Sequence, residues 1–293
     1  MALFDYLATH SVAFIAAVFI SGLLVGSFLN VVIYRLPVMM QHAFKLEIAF
    51  FNEDEKQYNT LENAPKFNLA TPDSSCPHCQ HKIRSWENIP VISWLLLRAK
   101  CSSCSKPISA RYPTIELVSG VLSAVSAWYF GWGIEALSII IFFWLLIVLT
   151  MIDFDHKLLP DSITLPLIWL GLLINLIFQP FTNLETAVIG AVAGYMSLWS
   201  LYWAFKLITG KEGMGYGDFK LFAAFGAWFG WQALPLIILL SSLVGAVVGI
   251  LMIVMLGRDK QIPIPFGPYL CGAALVYVFW GESIMNWYLG VAF

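Results

Sequence analysis

Residues Ile134 to Ile152 read IEALSIIIFFWLLIVLTMI, with Glu135 as the sole charge. A helix rises about 1.5 Å per residue, so this stretch reaches about 28 Å, close to the hydrocarbon thickness of a bilayer. Its apolar residues run on without alternation, which favours a spanning helix over a barrel strand. Gly131-Trp132-Gly133 bounds it on one side and the polar run from Asp153 to Lys157 on the other. The same reading extends outward. Residues 113–130 precede that turn, and residues 162–178 and 184–205 flank a turn containing Pro180. Residues 219–256 hold two spans turning near Gly230-Trp231-Gln232, the first of them short, and 268–290 hold another. Toward the other end, residues 11–33 give the first span; no basic start or small-residue cleavage site marks it as a removed signal. The predicted fold class is an all-α polytopic membrane protein of about eight transmembrane helices with a small cytoplasmic zinc-binding loop domain.

Composition agrees. Charged residues make up 12% of the 293, against roughly 25% in soluble domains. Mean hydropathy is +0.78. A water-soluble globule and a disordered chain are both excluded. The net charge of -2, with no basic block, argues against a nucleic-acid partner. Basic residues gather on the cytoplasmic side of membranes. Ten of the sixteen lie between Arg35 and Arg111; Lys157, then Lys206, Lys211 and Lys220, then Arg258 and Lys260 follow the third, fifth and seventh spans. Eight spans place all of them inside and both termini outside. The expected organisation is a first transmembrane helix over 1–34, a cytoplasmic four-cysteine domain over 35–112 and a seven-helix domain over 113–293. The segment from Val38 to Ser75 reads as generic polar loop.

That loop domain carries Cys76-Pro-His-Cys79 and Cys101-Ser-Ser-Cys104 with 21 residues between the pairs. Two such knuckles suit a tetrahedral zinc site with ligands Cys76, Cys79, Cys101 and Cys104. Four thiolates leave no position for a reactive water, so the site is structural. Disulfides are disfavoured on a cytoplasmic face. His78 and His81 are expected to be exposed, and Cys271 to pack within the last span. Residues 89–97, IPVISWLLL, are too short to span; they lie on the membrane surface or pack beneath the zinc site.

Acids beside spans are costly and mark function. Two segments carry them: MIDFDHKLLPD from Met151 to Asp161, and GMGYGD from Gly213 to Asp218. There is no HExxH or GxSxG, and no Ser-Lys pair in a plausible place. Two carboxylates sharing one proton can activate water and protonate a carbonyl or a leaving amine, which is aspartic proteolysis. The glycines before Asp218 allow close backbone approach and positive φ. Each acid also has a plainer reading. Asp218 and Asp161 suit helix caps, Asp155 a solvated interfacial charge, and Glu116 a partner of Arg111. Lys220 is expected to snorkel. A competing reading of the membrane acids is the relay of a proton-coupled transporter, but they cluster at one face and the halves do not repeat.

Five motifs together carry a resemblance: GSFLNVVIYRLP (Gly26–Pro37), the paired CxxC knuckles, SARYPTIELVSG (Ser109–Gly120), IDFDHKLLPD (Ile152–Asp161) and GMGYGDFKLFAAFGAW (Gly213–Trp228). Over nearly its whole length the chain resembles the type IV prepilin peptidases, bacterial GxGD-type intramembrane aspartic proteases. The resemblance implies that the catalytic pair is Asp153, which opens a D-x5-LP element, and Asp218, which closes GxGD. It implies cleavage of leader peptides from prepilins and pseudopilins after Gly, and N-methylation of the exposed residue with S-adenosylmethionine. It also implies an inner-membrane location and service to type IV pilus or type II secretion systems. The chain departs at Ala99-Lys100, where the family commonly has Gly-Lys before the third Cys, a position that bears on methylation if its backbone needs positive φ. The dipoles of the two acid-bearing helices favour Asp218 as the base and Asp153 as the initial acid.

Overall fold

The computed structural model describes residues 2–256 and 264–292. Arg258 and Lys260, counted above, lie outside the described residues. The chain forms two compact units, Met1–Trp128 and Tyr129–Phe293. The described residues are mostly helical, with no strand among them beyond two isolated bridges.

In the first unit, α1 (Ala2–Thr9) precedes α2 (Ser11–Phe51). The second helix has 41 residues and passes through Pro37 without a break. It therefore continues well beyond the predicted end at residue 33. The segment after Val38 is not plain loop: α2 fills it to Phe51 and α3 (Glu55–Glu62) follows, capped by Asp54 accepting from the Gln57 N–H. Residues such as Lys45, Leu46 and Glu47 are good helix formers, so loss of hydrophobicity there does not mean loss of helix. Buried Arg35 then fixes the segment beyond, donating to the carbonyls of Asn68 (2.8 Å) and Pro72 and lying over the Phe67 ring. After a 3-10 turn at Ser85–Asn88 comes α4 (Ile92–Leu96), and α5 (Arg111–Phe130) returns along α2.

The α2–α5 pairing rests on Gly22 and Gly26, a GxxxG spacing. A Cβ at Gly22 would lie 2.9 Å from Gly120 Cα, and one at Gly26 would lie 2.7 Å from Glu116 Cα. Small residues let backbones meet where lipid offers no hydrophobic drive. Ser119 Oγ donates to the Gly22 carbonyl at 2.7 Å, and Asn30 Nδ2 to the Tyr112 carbonyl at 3.1 Å.

The second unit holds α6 (Ile134–His156), α7 (Asp161–Ile177), α8 (Leu184–Thr209), α9 (Tyr216–Phe229), α10 (Leu234–Leu256) and α11 (Gly267–Ala292). Each predicted span thus appears as a helix. Yet among the described residues only four stretches are by themselves long and apolar enough to cross a membrane: Ser11–Phe51, Ile134–His156, Leu184–Thr209 and Trp231–Met252. That is fewer than the eight crossings expected. The physical reason is that α7 and α9 have 17 and 14 residues, while α5 carries Arg111 and Glu116 and α11 carries Glu282 and Asn286.

Helix α9 is the centre of this unit: from Asp218 to Phe229 every residue except Lys220 is buried. Against α8 it packs backbone to backbone, since a Cβ at Gly190 would lie 2.4 Å from the Gly226 oxygen and one at Gly194 would lie 2.7 Å from the Phe222 oxygen. Against α7, Trp228 Nε1 donates to the Leu167 carbonyl at 2.8 Å. Buried Asn175 donates to the carbonyls of Ala227 and Trp228, satisfying two groups that the helix end leaves open.

Candidate active site and metal centre

Asp153 lies in the last turn of α6, which ends at Lys157 in the left-handed region, its N–H donating to the Asp153 carbonyl. Asp218 lies in the first turn of α9. Both carboxylates are buried, at 5% and 7% exposure. They come from different elements but act on one another electrostatically, and Cys271 of α11 lies in the field of both. Each accepts one backbone N–H: Asp153 Oδ2 from Gly267 at 3.0 Å and Asp218 Oδ2 from Gly215 at 3.1 Å.

Leu159 explains how the two segments meet. A Cβ at Gly217 would lie 2.6 Å from Leu159 Cβ, and one at Gly267 would lie 3.3 Å from Leu159 Cδ2 and 2.7 Å from Asp153 Oδ2. The leucine of the LLP run thus sits between the glycine before Asp218 and the glycine that serves Asp153. This corrects the role expected for the glycine stretch: Gly213, Gly215 and Gly217 are absent from the positive-φ positions. Gly213 and Gly217 are small because neighbours approach closely, a Cβ lying 3.0 Å from Phe205 and 2.6 Å from Leu159, not because the chain turns left-handed; around Gly215 the nearest atom, Asp218 Oδ2, lies at 3.7 Å.

Gly267 was invisible to the motif reading. Its only sequence signal is Gly267-Pro268 at a helix start, where Pro suits the first turn. It also alters the proton argument. Asp153 faces the start of α11, whose N–H offsets the unfavourable end of its own helix. Each carboxylate therefore has a helix-start N–H, and no bias toward Asp218 as base follows from helix ends.

The other acids separate cleanly. Asp155 is exposed. Asp161 begins α7 without a side-chain cap bond and takes Lys220 Nζ at 2.6 Å, so Lys220 pairs rather than snorkels. The partner was unforeseen because it is 59 positions away in sequence. The pair is partly exposed, so Lys220→Met is expected to cost at most about 1 kcal/mol in thermal unfolding and to leave cleavage intact. A variant that unfolds at once would contradict this. Glu116 is buried and accepts the Val91 N–H at 2.8 Å, a bond the expected Arg111 pairing did not anticipate.

In the first unit, the four thiols converge. The Sγ atoms of Cys76, Cys79, Cys101 and Cys104 lie within 4.8 Å of one another, with Cys76–Cys104 and Cys79–Cys101 both at 3.9 Å. A tetrahedron with metal–sulfur arms of about 2.3 Å has edges of about 3.8 Å, so the cluster fits a metal ion. The knuckles repeat one another. The Cys76 N–H donates to the His81 carbonyl and the Gln80 N–H to the Cys76 carbonyl; Cys101, Lys106 and Ser105 do the same in the second. Gln80 and Ser105 both take positive φ.

The N–H groups of Cys79 and His78 lower the Cys76 thiol to about 7, and those of Cys104 and Ser103 lower Cys101. Although the Lys106 N–H lowers it, burial and the three facing sulfurs push the Cys104 thiol up to about 11. Four crowded thiols need a cation before all can ionise.

His78 is exposed, whereas His81 is half-buried and bonded to Glu87 at 3.3 Å. Glu87 joins the knuckles: it accepts from the Arg84 N–H and from Ser102 Oγ (2.6 Å), and these hold its carboxyl below the usual range. In the 89–97 patch, Ile92, Leu95 and Leu96 are exposed, while Trp94 Nε1 bonds the Ile108 carbonyl. Ala99 takes φ +58, the conformation in which glycine is at ease.

Comparison with known proteins places these features. The family described as Bacterial Peptidase A24 N-terminal domain matches residues 20–130, and the type IV leader peptidase family matches residues 140–250. The chain is 54% identical over 288 residues to a prepilin leader peptidase/N-methyltransferase of Stutzerimonas stutzeri, covering 98% of each. It is 51% identical over 295 residues to that of Pseudomonas aeruginosa, covering 100% of this chain and 99% of the relative. It is 51% identical over 271 residues to that of Neisseria gonorrhoeae, covering 92% of each. No solved structure matches.

Proposed function

The chain belongs to the type IV leader peptidase family, and from that membership we infer that it is a membrane aspartic endopeptidase that also methylates its product. Its substrates are prepilins and pseudopilins of type IV pilus or type II secretion systems, cut after Gly at the end of a leader. The observation that carries this reading is the pair of buried carboxylates, Asp153 and Asp218, brought to one place through Leu159, Gly217 and Gly267. With one proton shared between them, the ionised carboxylate takes a proton from water as its oxygen attacks the scissile carbonyl. The protonated carboxyl gives its proton to the carbonyl oxygen. The resulting diol collapses, the C–N bond breaks and the departing amine is protonated.

N-methylation of the new amino terminus draws its methyl group from S-adenosylmethionine, a donor suggested by the methyltransferase in the relatives' name. Cys76, Cys79, Cys101 and Cys104 would hold zinc, which supplies a structural crosslink to a domain over 35–112 with little core of its own. The first transmembrane helix lies within 1–34 and the seven-helix peptidase domain over 113–293. By the distribution of basic residues, the acids face the cytoplasm across the inner membrane and both termini are periplasmic.

Incubating the purified protein with a prepilin and weighing the product tests both activities. Loss of the leader and gain of one methyl group are expected; an unchanged prepilin mass would refute the reading. For the metal, Cys76→Ser or Cys101→Ser is expected to reduce zinc from about one ion per chain toward none, measured by elemental mass spectrometry on protein purified reduced and without chelator. Wild-type protein prepared in that way and free of zinc would dismiss the site.

A further inference from the structure

In the first unit, the short apolar segment 89–97 is tied to a point well inside the apolar stretch of α2. A Cβ at Gly26 would lie 2.7 Å from Glu116 Cα, so Glu116 of α5 stands level with Gly26 of α2. Ile33, which ends that apolar stretch, lies about 10 Å further along the helix. The Glu116 carboxylate accepts the Val91 N–H at 2.8 Å. A glutamate side chain reaches about 5 Å from its Cα, so the bond holds Val91 N within about 8 Å of Glu116 Cα, short of the level of Ile33. Val91 takes φ +62, a rare conformation for a β-branched residue, and the Ile92 N–H donates to the Pro90 carbonyl at 2.6 Å, closing a γ-turn. The Ser93 N–H donates to the Ile89 carbonyl. The N–H groups of Val91, Ile92 and Ser93 are thus all satisfied within the protein. Just past the turn, Leu95 is 61% and Leu96 74% exposed, and Ile92 is exposed beside them.

A turn whose backbone donors need no water, carrying bare apolar side chains, suits the edge of a bilayer. Exposed Arg98 and Lys100 follow α4, which places cations where headgroups begin. We propose that residues 89–97 are inserted into the leaflet at the carboxyl end of the apolar stretch of α2, with Ile92, Leu95 and Leu96 in contact with lipid. This rests on the reading of residues 11–33 as a span. The occupant is lipid rather than a second copy or a substrate, because Glu116 holds the turn at the depth of α2 where Leu24 and Phe28 are themselves exposed. The insertion moors the second cysteine knuckle. The Ala99 N–H donates to the Trp94 carbonyl at 2.8 Å and the Ile108 N–H to the Ala99 carbonyl at 2.7 Å, so the loop of Cys101 and Cys104 hangs from α4. The four-cysteine cluster then rides at a fixed height on the membrane.

The test uses the full-length protein in vesicles of phosphatidylethanolamine and phosphatidylglycerol. A photo-crosslinking residue is placed at Leu96, at Leu24 in the apolar stretch of α2, or at Gln57, which is exposed on α3 beyond the end of α2. Adducts are identified by mass. Lipid adducts are expected at 96 and at 24, and at least about fivefold fewer at 57. With the probe moved to Ile92, Leu95→Glu together with Leu96→Glu is expected to lower the lipid adducts at least about fivefold, since charge draws the turn out of the leaflet. Should that double variant not fold, the adducts of the otherwise unchanged chain decide alone. Lipid adducts at 96 no more frequent than at 57 would overturn the insertion, as would adducts at 96 to a second copy or to an added prepilin in place of lipid. Absence of lipid adducts at 24 would instead overturn the reading of α2 as a span.

Discussion

Asp153→Asn and Asp218→Asn are each expected to lower prepilin cleavage by at least about 10³-fold while leaving the protein inserted and folded. The fold should persist because an Asn carbonyl oxygen can still accept the Gly267 or Gly215 N–H, as the carboxylate does at 3.0 and 3.1 Å. What is lost is one of the two carboxyls that share the exchangeable proton, and the one that remains cannot be both acid and base within a turnover. Asp155→Asn, two residues along and exposed, is expected to keep most activity. Rates on purified variants, with circular dichroism to confirm helix content, decide this. Substantial cleavage by either dyad variant would remove the assignment.

A methyl group at position 267 should be nearly as damaging. The Cβ of Gly267→Ala would lie 2.7 Å from Asp153 Oδ2 and 3.2 Å from its Cγ, well inside ordinary contact. Either the carboxylate rotates or the start of α11 withdraws, and both break the Gly267 N–H bond. Displacement of a catalytic group by about 1 Å costs about 10²-fold, which is the loss expected here. Gly272→Ala is the matched control on the same helix, since nothing lies within 4 Å of its Cβ. Wild-type activity in Gly267→Ala would show that the N–H of α11 does not position Asp153.

These two experiments mark how far the sequence could be read. Helix positions were legible because each span is a long apolar run bounded by Gly, Pro or charge. Where a helix ends in water was not: α2 outlasts its apolar stretch because helical hydrogen bonds do not depend on hydrophobicity. Fewer helices than expected are able to cross by themselves, since α9 is short and is held by neighbours rather than by lipid. The four-cysteine cluster could be read from spacing because each knuckle is local. Asp153 and Asp218 stood out through their motifs. The contacts that hold them did not, because Gly267 lies 114 positions from Asp153 and carries no side chain to signal a role. Sequence separation likewise hid Asp161 from Lys220.

The burial of α9 has a consequence for how the protein is made. Fourteen residues reach only about 21 Å, so this helix cannot be retained by the bilayer on its own account. It must await company, with α6, α7 and α8 already synthesised and α11 still to come. Until α11 leaves the ribosome, Asp153 has no Gly267 N–H to accept. A nascent chain ending before residue 264 therefore carries both acids in an unfinished setting. Such a chain is expected to be silent toward prepilins, so that proteolysis begins only when the last helix docks and the membrane is spared a half-built protease.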